Sequence, residues 1–296
     1  MRRLLVTGAA GLLGGRLAQL LAEEFAVTAG AHRTKAPEGL ATVSLDLTAS
    51  ASLGAAIETV RPEAVLHAAV ANVDRCETHP AESEAVNVGG TALVAEACAR
   101  HGTRLVVLST DLVFGGPVRE GGLDEADPPA PLLGYGRTKL AGEEAALRLC
   151  AGSAVARIAL VCGRGYGPRG TCSEGVAWAL RRGDRLRLFR DQWRTPVDAE
   201  AIAVAVARLL HGAGEGRYHL GGPERVSRYD LGLRTAAAFG LAPTGIEAVT
   251  QAAFSLGAPR PTDVSLDSTR ARRELGFAPR ALDDMIEGGR PESPPV

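Results

Sequence analysis

The stretch Thr7-Gly8-Ala9-Ala10-Gly11-Leu12-Leu13-Gly14 constrains this chain more than any other. The apolar run Leu4-Leu5-Val6 leads into it as a short buried strand, and Leu13, Leu17, Leu20 and Leu21 recur behind it on one helical face. Strand, glycine-rich turn and helix in that order make a dinucleotide site. Gly8 permits a tight turn, Gly11 lets a pyrophosphate reach the backbone, and Gly14 lets the helix pack closely on the strand. Free N–H groups at the helix start then face the phosphates. Gly8, Ala10, Gly11, Leu12 and Leu13 are the cofactor-binding candidates of this loop, spaced Gly-x-x-Gly-x-x-Gly.

Ala26-Val27-Thr28-Ala29 reads as a second strand, and the residues just beyond its end bear on cofactor choice. A carboxylate there binds the ribose 2′-OH of NAD, whereas cationic groups take the 2′-phosphate of NADP. The sequence offers Ala31-His32-Arg33-Thr34-Lys35, without an acid. Arg33 is therefore assigned to the phosphate, because guanidinium pairs with it at two points. NADP(H) is the preferred cofactor, with NAD(H) left open.

Thr42-Val43-Ser44-Leu45 is a third strand, with Asp46 placed to meet the adenine amino group and Leu47 to pack on the ring. A helix from about Ser50 must stop before Pro62, since the residue preceding proline leaves the helical region. Ala64–Ala69 is a fourth strand, and its small end, Ala68, Ala69 and Val70, lets backbone lie against a ribose. One helix over Glu82–Arg100 precedes the strand Arg104–Leu108. Strands alternating with helices, most of them apolar on both faces, predict an α/β fold with a Rossmann-type doubly wound parallel sheet. Ligands in such a sheet bind at the carboxyl edge of the strands, where Ser109-Thr110-Asp111 stand. The Gly/Pro-rich loop from Gly115 to Gly134 is long enough to be functional.

At 296 residues there is room for one large domain and a smaller lobe. Residues 1–161 are read as the dinucleotide-binding domain and 162–289 mostly as a smaller substrate-binding lobe, some of whose elements return to the main sheet. The proline-rich end, 290–296, is expected to fray. With 46% apolar and 23% charged residues the chain is globular. A formal net charge of -1 gives no global pull toward nucleic acid or anionic membrane. No apolar run approaches the ~20 residues that span a bilayer. Met1-Arg2-Arg3 runs straight into the first strand, which leaves no signal peptide. Five scattered cysteines with no C-x-x-C pair and no metal spacing fit a reducing cytoplasm.

Tyr135 and Lys139 are four apart at the start of a helix through Cys150, so they project from one face. A neighbouring ammonium favours phenolate, which brings the acidity of Tyr135 toward working pH. Thr110 supplies a hydroxyl for the substrate oxygen. Tyr-x-x-x-Lys alone is a weak signal, but after a phosphate-binding turn and a strand ending in Ser-Thr it becomes strong.

Thr7–Gly14, Ser109-Thr110-Asp111-Leu112-Val113-Phe114 and Tyr135-Gly136-Arg137-Thr138-Lys139-Leu140-Ala141-Gly142-Glu143 together resemble the extended short-chain dehydrogenase/reductase family, most closely its dTDP-4-dehydrorhamnose reductases. Val73-Asp74-Arg75-Cys76-Glu77, Asn87-Val88, Asp191-Gln192 and Arg260-Pro261 with Leu266-Asp267 extend the resemblance over most of residues 3–285. It implies hydride transfer between a nicotinamide and a sugar carbonyl. Tyr135 would be the acid, Lys139 would bind the nicotinamide ribose and tune Tyr135, and Thr110 would bind the same oxygen. Val73 and Asp111 would face the sugar. The Asn-Phe pair of those reductases after the sixth strand is not evident in Gly163–Ser173. Arg194 stands where they have a small residue; it looks like the diphosphate-binding arginine of sugar-nucleotide epimerases, and with Arg260 it would clamp a diphosphate.

Three readings stay open here: an NADP(H)-dependent reductase of a nucleotide-linked keto sugar, an epimerase or dehydratase with tightly held NAD, and a dinucleotide-binding regulatory relative. The family also implies a symmetric homodimer through helices such as Glu82–Arg100 and Tyr135–Cys150.

Overall fold

Apolar residues alternate between the two faces of the first strand, and this sets the layering. In the computed structural model, which describes residues 1–116, 118, 120–254 and 259–289, Leu4 and Val6 enter one core and Leu5 the other. The first core holds Leu17, Leu21, Ile202 and Val206, and the second Leu53, Ile57, Val94 and Cys98. The expected fraying of 290–296 lies outside the described residues.

In chain order the first half runs β1 (Arg2–Thr7), α1 (Leu12–Leu21), β2 (Phe25–Ala31), β3 (Ala41–Ser44), α2 (Ser50–Val60), β4 (Ala64–His67), α3 (Val73–Thr78), α4 (Pro80–Glu84), α5 (Thr91–His101), β5 (Arg104–Thr110), α6 (Gly134–Leu149) and β6 (Ala154–Ile158). The main sheet has seven strands in the order Gly216–Leu220, β6, β5, β4, β1, β2, β3. Every pairing within it is parallel. The direction of strand succession reverses between β1 and β4. That reversal opens the crevice in which a doubly wound sheet holds its ligand.

The helix expected over Glu82–Arg100 is interrupted. Between α4 and α5 the turn Ala85–Gly90 is a π-helix. Two close approaches fall on it, one at its own Gly90 and one from Gly142 of α6. Gly90 approaches Leu47 so closely that a Cβ would come within 3.0 Å of the Leu47 Cβ, and one on Gly142 of α6 would stand 2.7 Å from the Asn87 carbonyl oxygen. The extra residue per turn lets both neighbours in.

From position 161 on, three two-stranded sheets form among the described residues. Val161–Cys162 pairs with Val197–Asp198, Trp193–Arg194 with Val226–Ser227, and Leu186–Phe189 with Ile246–Val249. The strand Gly216–Leu220 closes one edge of the main sheet beside β6. The helix Ala199–Leu210 lies against α1, where Arg16 Nη2 and Glu200 Oε1 are 2.6 Å apart. Thus part of the second half covers the dinucleotide layer rather than the cleft.

Candidate active site

The glycine loop shapes the floor of the crevice. Gly8 has φ +67°, and a Cβ there would lie 2.5 Å from the Ala69 nitrogen and Cα at the end of β4. Both the left-handed backbone and the contact exclude a side chain. A Cβ on Gly14 would overlap the Gly8 carbonyl oxygen, so its closeness serves the loop as much as the strand. Gly11 N–H donates to the Gly8 carbonyl at 2.9 Å, and α1 starts after it with no side-chain cap. The result is a cradle walled by backbone at a helix N-terminus, which fits a dinucleotide pyrophosphate. Gly15 and Tyr166 were not anticipated. A Cβ on Gly15 would overlap the Tyr166 ring, and Tyr166 N–H donates to the Leu12 carbonyl at 3.0 Å. The Gly14-Gly15 doublet was the available signal.

The other cofactor candidates lie along the same edge. Ala10, Leu12 and Leu13 stand half-buried in the loop and first turn, as do Ala68 and Ala69 beyond β4. Val70 is 43% exposed, a large apolar side chain left open at the strand ends. Arg33 is exposed just past β2. Asp46 uses one carboxyl oxygen to hold its own turn. Its Oδ1 accepts from the Thr48 hydroxyl at 2.7 Å and the Thr48 N–H at 2.9 Å, bonds that hold the carboxyl below its ordinary range. Leu47 is buried in the core against Gly90.

Two glycines dock the helix that carries the chemistry. At Gly136 a Cβ would overlap the Leu112 carbonyl, so only glycine lets the start of α6 press on the turn Asp111–Val113. Gly142 lets the next turns press on Asn87. Tyr135 thereby hydrogen-bonds Thr110 at the end of β5, and Lys139 comes to rest beside His67 at the end of β4. Lys139 is buried, and burial pushes it down to about 8. Here the expectation from spacing is overturned. Lys139 does not bring the phenol down: burial, and then the Asp111 carboxylate and Cys76, push Tyr135 well above the ordinary tyrosine value, against a smaller pull from Thr110. A phenol so placed stays protonated, which suits a proton donor.

A neutral relay lies under the crevice. Thr91 Oγ1 donates to the Asn87 carbonyl at 2.7 Å, so it accepts from His67 Nε2–H at 3.0 Å, and His67 Nδ1 accepts from Thr7 Oγ1 at 2.8 Å. Burial, with Lys139 adding repulsion, holds His67 uncharged by lowering it to about 3. The Asn87 amide accepts from Ala71 N–H at 2.7 Å and donates to the Ala71 carbonyl at 3.1 Å and to Thr138 Oγ1 at 2.9 Å. It ties the chain just beyond β4 to the helix of Tyr135. The sequence marked Asn87, Thr138 and Thr7 through the family resemblance, but not their links to His67 and Thr91.

Behind α6, Glu143 and Arg157 form a wholly buried pair, with Arg157 Nη2 2.8 Å from Glu143 Oε2. Burial alone would raise the Glu143 carboxyl, but the bonds from Arg157, Ser109 and Arg217 outweigh it and hold it low. Ser109 Oγ donates to Glu143 at 2.5 Å and Arg217 Nε at 3.1 Å, so β5, β6, the seventh strand and α6 meet on one carboxylate.

On the substrate side, Val73 opens α3 half-buried, with the Asn72 side chain capping that helix by accepting from Arg75 N–H at 3.0 Å. Arg194 reaches Asp111, 2.7 Å between Nη1 and Oδ2. Arg260 stands exposed on the segment whose Thr262 carbonyl accepts from Trp193 N–H. The two arginines of the expected clamp thus lie on neighbouring segments, but Arg194 spends part of its guanidinium on Asp111. Arg225 stacks over Trp193, 3.9 Å from the ring centre, and pairs with Asp263 at 2.7 Å. It too was not anticipated.

Among the described residues no group of His, Cys, Asp and Glu is arranged to hold a metal ion, and no helix is long and apolar enough to cross a membrane. The family model for the RmlD substrate binding domain matches residues 1–288. A probable low-salt glycan biosynthesis reductase Agl14 of Haloferax volcanii is 31% identical over 289 residues, 95% of either chain. A dTDP-4-dehydrorhamnose reductase of Aggregatibacter actinomycetemcomitans is 30% identical, over 96% of this chain and 98% of that one. The methionine adenosyltransferase 2 subunit beta of Mus musculus is also 30% identical, over 94% of this chain and 84% of its own. The crystal structure of dTDP-4-dehydrorhamnose reductase from Bacillus anthracis in complex with NADP superposes with a TM-score of 0.85 at 24% identity, over 98% of this chain and 99% of that one.

Proposed function

The chain belongs to the RmlD substrate-binding-domain family, and from that premise we propose that it uses NADP(H) to reduce a keto group on a nucleotide-linked sugar. It is an NAD(P)-dependent oxidoreductase of the extended short-chain dehydrogenase/reductase type. The observation that carries the substrate reading is the meeting of Thr110, Tyr135 and Lys139 beside the Gly8 cradle, at the strand ends.

When bound, the dihydronicotinamide supplies a hydride to the carbonyl carbon. Tyr135 gives its phenolic proton to the carbonyl oxygen, so that ketone plus hydride plus proton leaves an alcohol. Thr110 holds the same oxygen, and Lys139 takes the nicotinamide ribose, which restores to its ammonium the polar partners that burial removed. Tyr135 then recovers a proton from solvent. Gly8, Gly11 and the first turn of α1 take the pyrophosphate, and Arg33 the 2′-phosphate. Val73 and Asp111 face the sugar, and Arg260 with the remaining donors of Arg194 faces the diphosphate.

The test is NADPH oxidation with a panel of nucleotide-linked 4-keto sugars. Turnover with at least one of them, faster with NADPH than with NADH, is expected. Interconversion of sugar epimers without net NADPH consumption would instead favour the epimerase reading. Tight dinucleotide binding with neither reaction would favour a regulatory role, the reading to which the likeness to an adenosyltransferase subunit lends weight. We further place a symmetric dimer on α5 and α6; light scattering at micromolar concentration should give twice the chain mass, and a monomer would dispose of it.

A further inference from the structure

Arg194 departs from the small residue expected at its position, and its surroundings supply a reason. The ion pair it makes with Asp111 is nearly sealed, with side-chain exposures of 14% and 5%. Asp111 Oδ1 accepts from Thr110 Oγ1 at 3.1 Å, while Thr110 Oγ1 accepts from Leu112 N–H at 3.2 Å. Thr110 also hydrogen-bonds the Tyr135 phenol, so its hydroxyl lies between the carboxylate and the phenol. The four side chains therefore form one connected chain whose far end is a guanidinium on a strand of the second half.

We propose that Arg194 is a positioning residue: by pairing with Asp111 it holds that carboxylate in place beside Thr110 and balances the charge that Asp111 places beside the Tyr135 phenol. The inference rests on the reading of Tyr135 as proton donor. Another group faces that phenol, Cys76 from α3, with Glu77 of α3 accepting from Gly134 N–H at 2.9 Å at the helix start, while Lys139 of the phenol's own helix acts on His67. Among these, the Asp111 carboxylate is the nearby charge that acts directly on the phenol, and Arg194 is its cation. A diphosphate that drew Arg194 away would leave Asp111 buried and unpaired, an arrangement proteins avoid. Arg194 therefore stays on Asp111 during turnover and meets phosphate only with the donors left over.

Four variants test this at saturating NADPH and keto-sugar nucleotide: Arg194→Met, Arg194→Lys, Asp111→Asn, and Arg194→Met with Asp111→Asn. Arg194→Met should lower kcat about 10- to 100-fold, the span of a perturbed acid catalyst, and move the pH dependence of kcat upward. Asp111→Asn should move it downward. The double variant should recover most of the kcat lost in Arg194→Met while its KM for the nucleotide stays raised. Arg194→Lys keeps the charge and should stay within about threefold of wild-type kcat; it carries the test if Arg194→Met does not fold. Arg194→Met with altered KM alone, Arg194→Lys with kcat lowered well beyond about threefold, or a double variant slower than both singles, overturns the inference. A Tyr135→Phe protein run alongside separates the failures. If it keeps turnover, the reading of Tyr135 falls; if it is inactive while Arg194→Met has normal kcat, only the role of Arg194 falls.

Discussion

At the dinucleotide side of the cleft, Gly8 lies against the backbone of Ala69, Gly14 against the carbonyl of Gly8, and the buried His67 is neutral. On the substrate side, Arg194 holds Asp111, and Arg225 holds Asp263 and stacks on Trp193. One side is made of backbone in close contact and the other of charged side chains in pairs. A backbone surface suits a ligand part that is the same in every turnover, and it tolerates no added atom. A wall of arginine pairs is tuned by exchanging single side chains, and it is where this chain departs from the family pattern. The rigid side should therefore break under the smallest change, and the charged side should yield in graded steps.

The largest effect should come from Gly8→Ala. Strain at φ +67° combines with overlap on Ala69, and stability should fall by about 2–5 kcal/mol. Dinucleotide affinity should fall at least about a hundredfold in whatever folds, where 1.4 kcal/mol is tenfold. A thermal melt and a dinucleotide titration near wild type would show that the cradle is not rigid.

Lys139→Met sharpens the contrast between a group used for chemistry and one used for stability. Lys139 sits at about 8 in the folded chain, below the ordinary lysine value. Between those values the unfolded chain binds more protons, so stability gained through this group rises with pH across that window and is withheld below it. At pH 7 the variant should be more stable than wild type by about 1–3 kcal/mol, a difference that shrinks toward pH 10. Its turnover and dinucleotide affinity should both drop. Lower stability at pH 7 would contradict the assignment.

Arg33→Ala probes the one charged contribution expected on the backbone side. NADP(H) binding should weaken by about 1–3 kcal/mol, the scale of a charged hydrogen bond, with NAD(H) binding nearly unchanged. Equal losses for both would remove Arg33 from the 2′-phosphate. The smallest effect belongs to Arg225→Ala. The side chain is about half exposed, and solvent screening should limit the loss of stability to less than about 1 kcal/mol. A larger loss, read from denaturant midpoints, would mean that the arginine wall is as rigid as the cradle.

The same contrast explains what the sequence revealed. Gly8, Gly11 and Gly14 act through local spacing, so the loop and the strands around it were legible, as was the meeting of Thr110 with Tyr135. The π-helical turn was hidden because it depends on Gly90 meeting Leu47 and Gly142 meeting Asn87. Pairs such as Asp111 with Arg194, 83 positions apart, leave no periodicity to detect. The direction in which Tyr135 shifts was misjudged for a related reason. Spacing places Lys139 beside it, but burial and Asp111, which decide the outcome, come from packing.

The most direct test is a single-turnover measurement of NADPH consumption by the wild type and by Tyr135→Phe, with the 4-keto sugar nucleotide that the wild type turns over best. The substitution keeps the ring and the helix and deletes the hydroxyl. If Tyr135 delivers the proton, the chemical step should slow by about 10²–10⁴-fold while NADPH affinity stays within about twofold. A Tyr135→Phe protein that consumes NADPH at near-wild-type rate would contradict the account, leaving Tyr135 an ordinary tyrosine at the start of a helix.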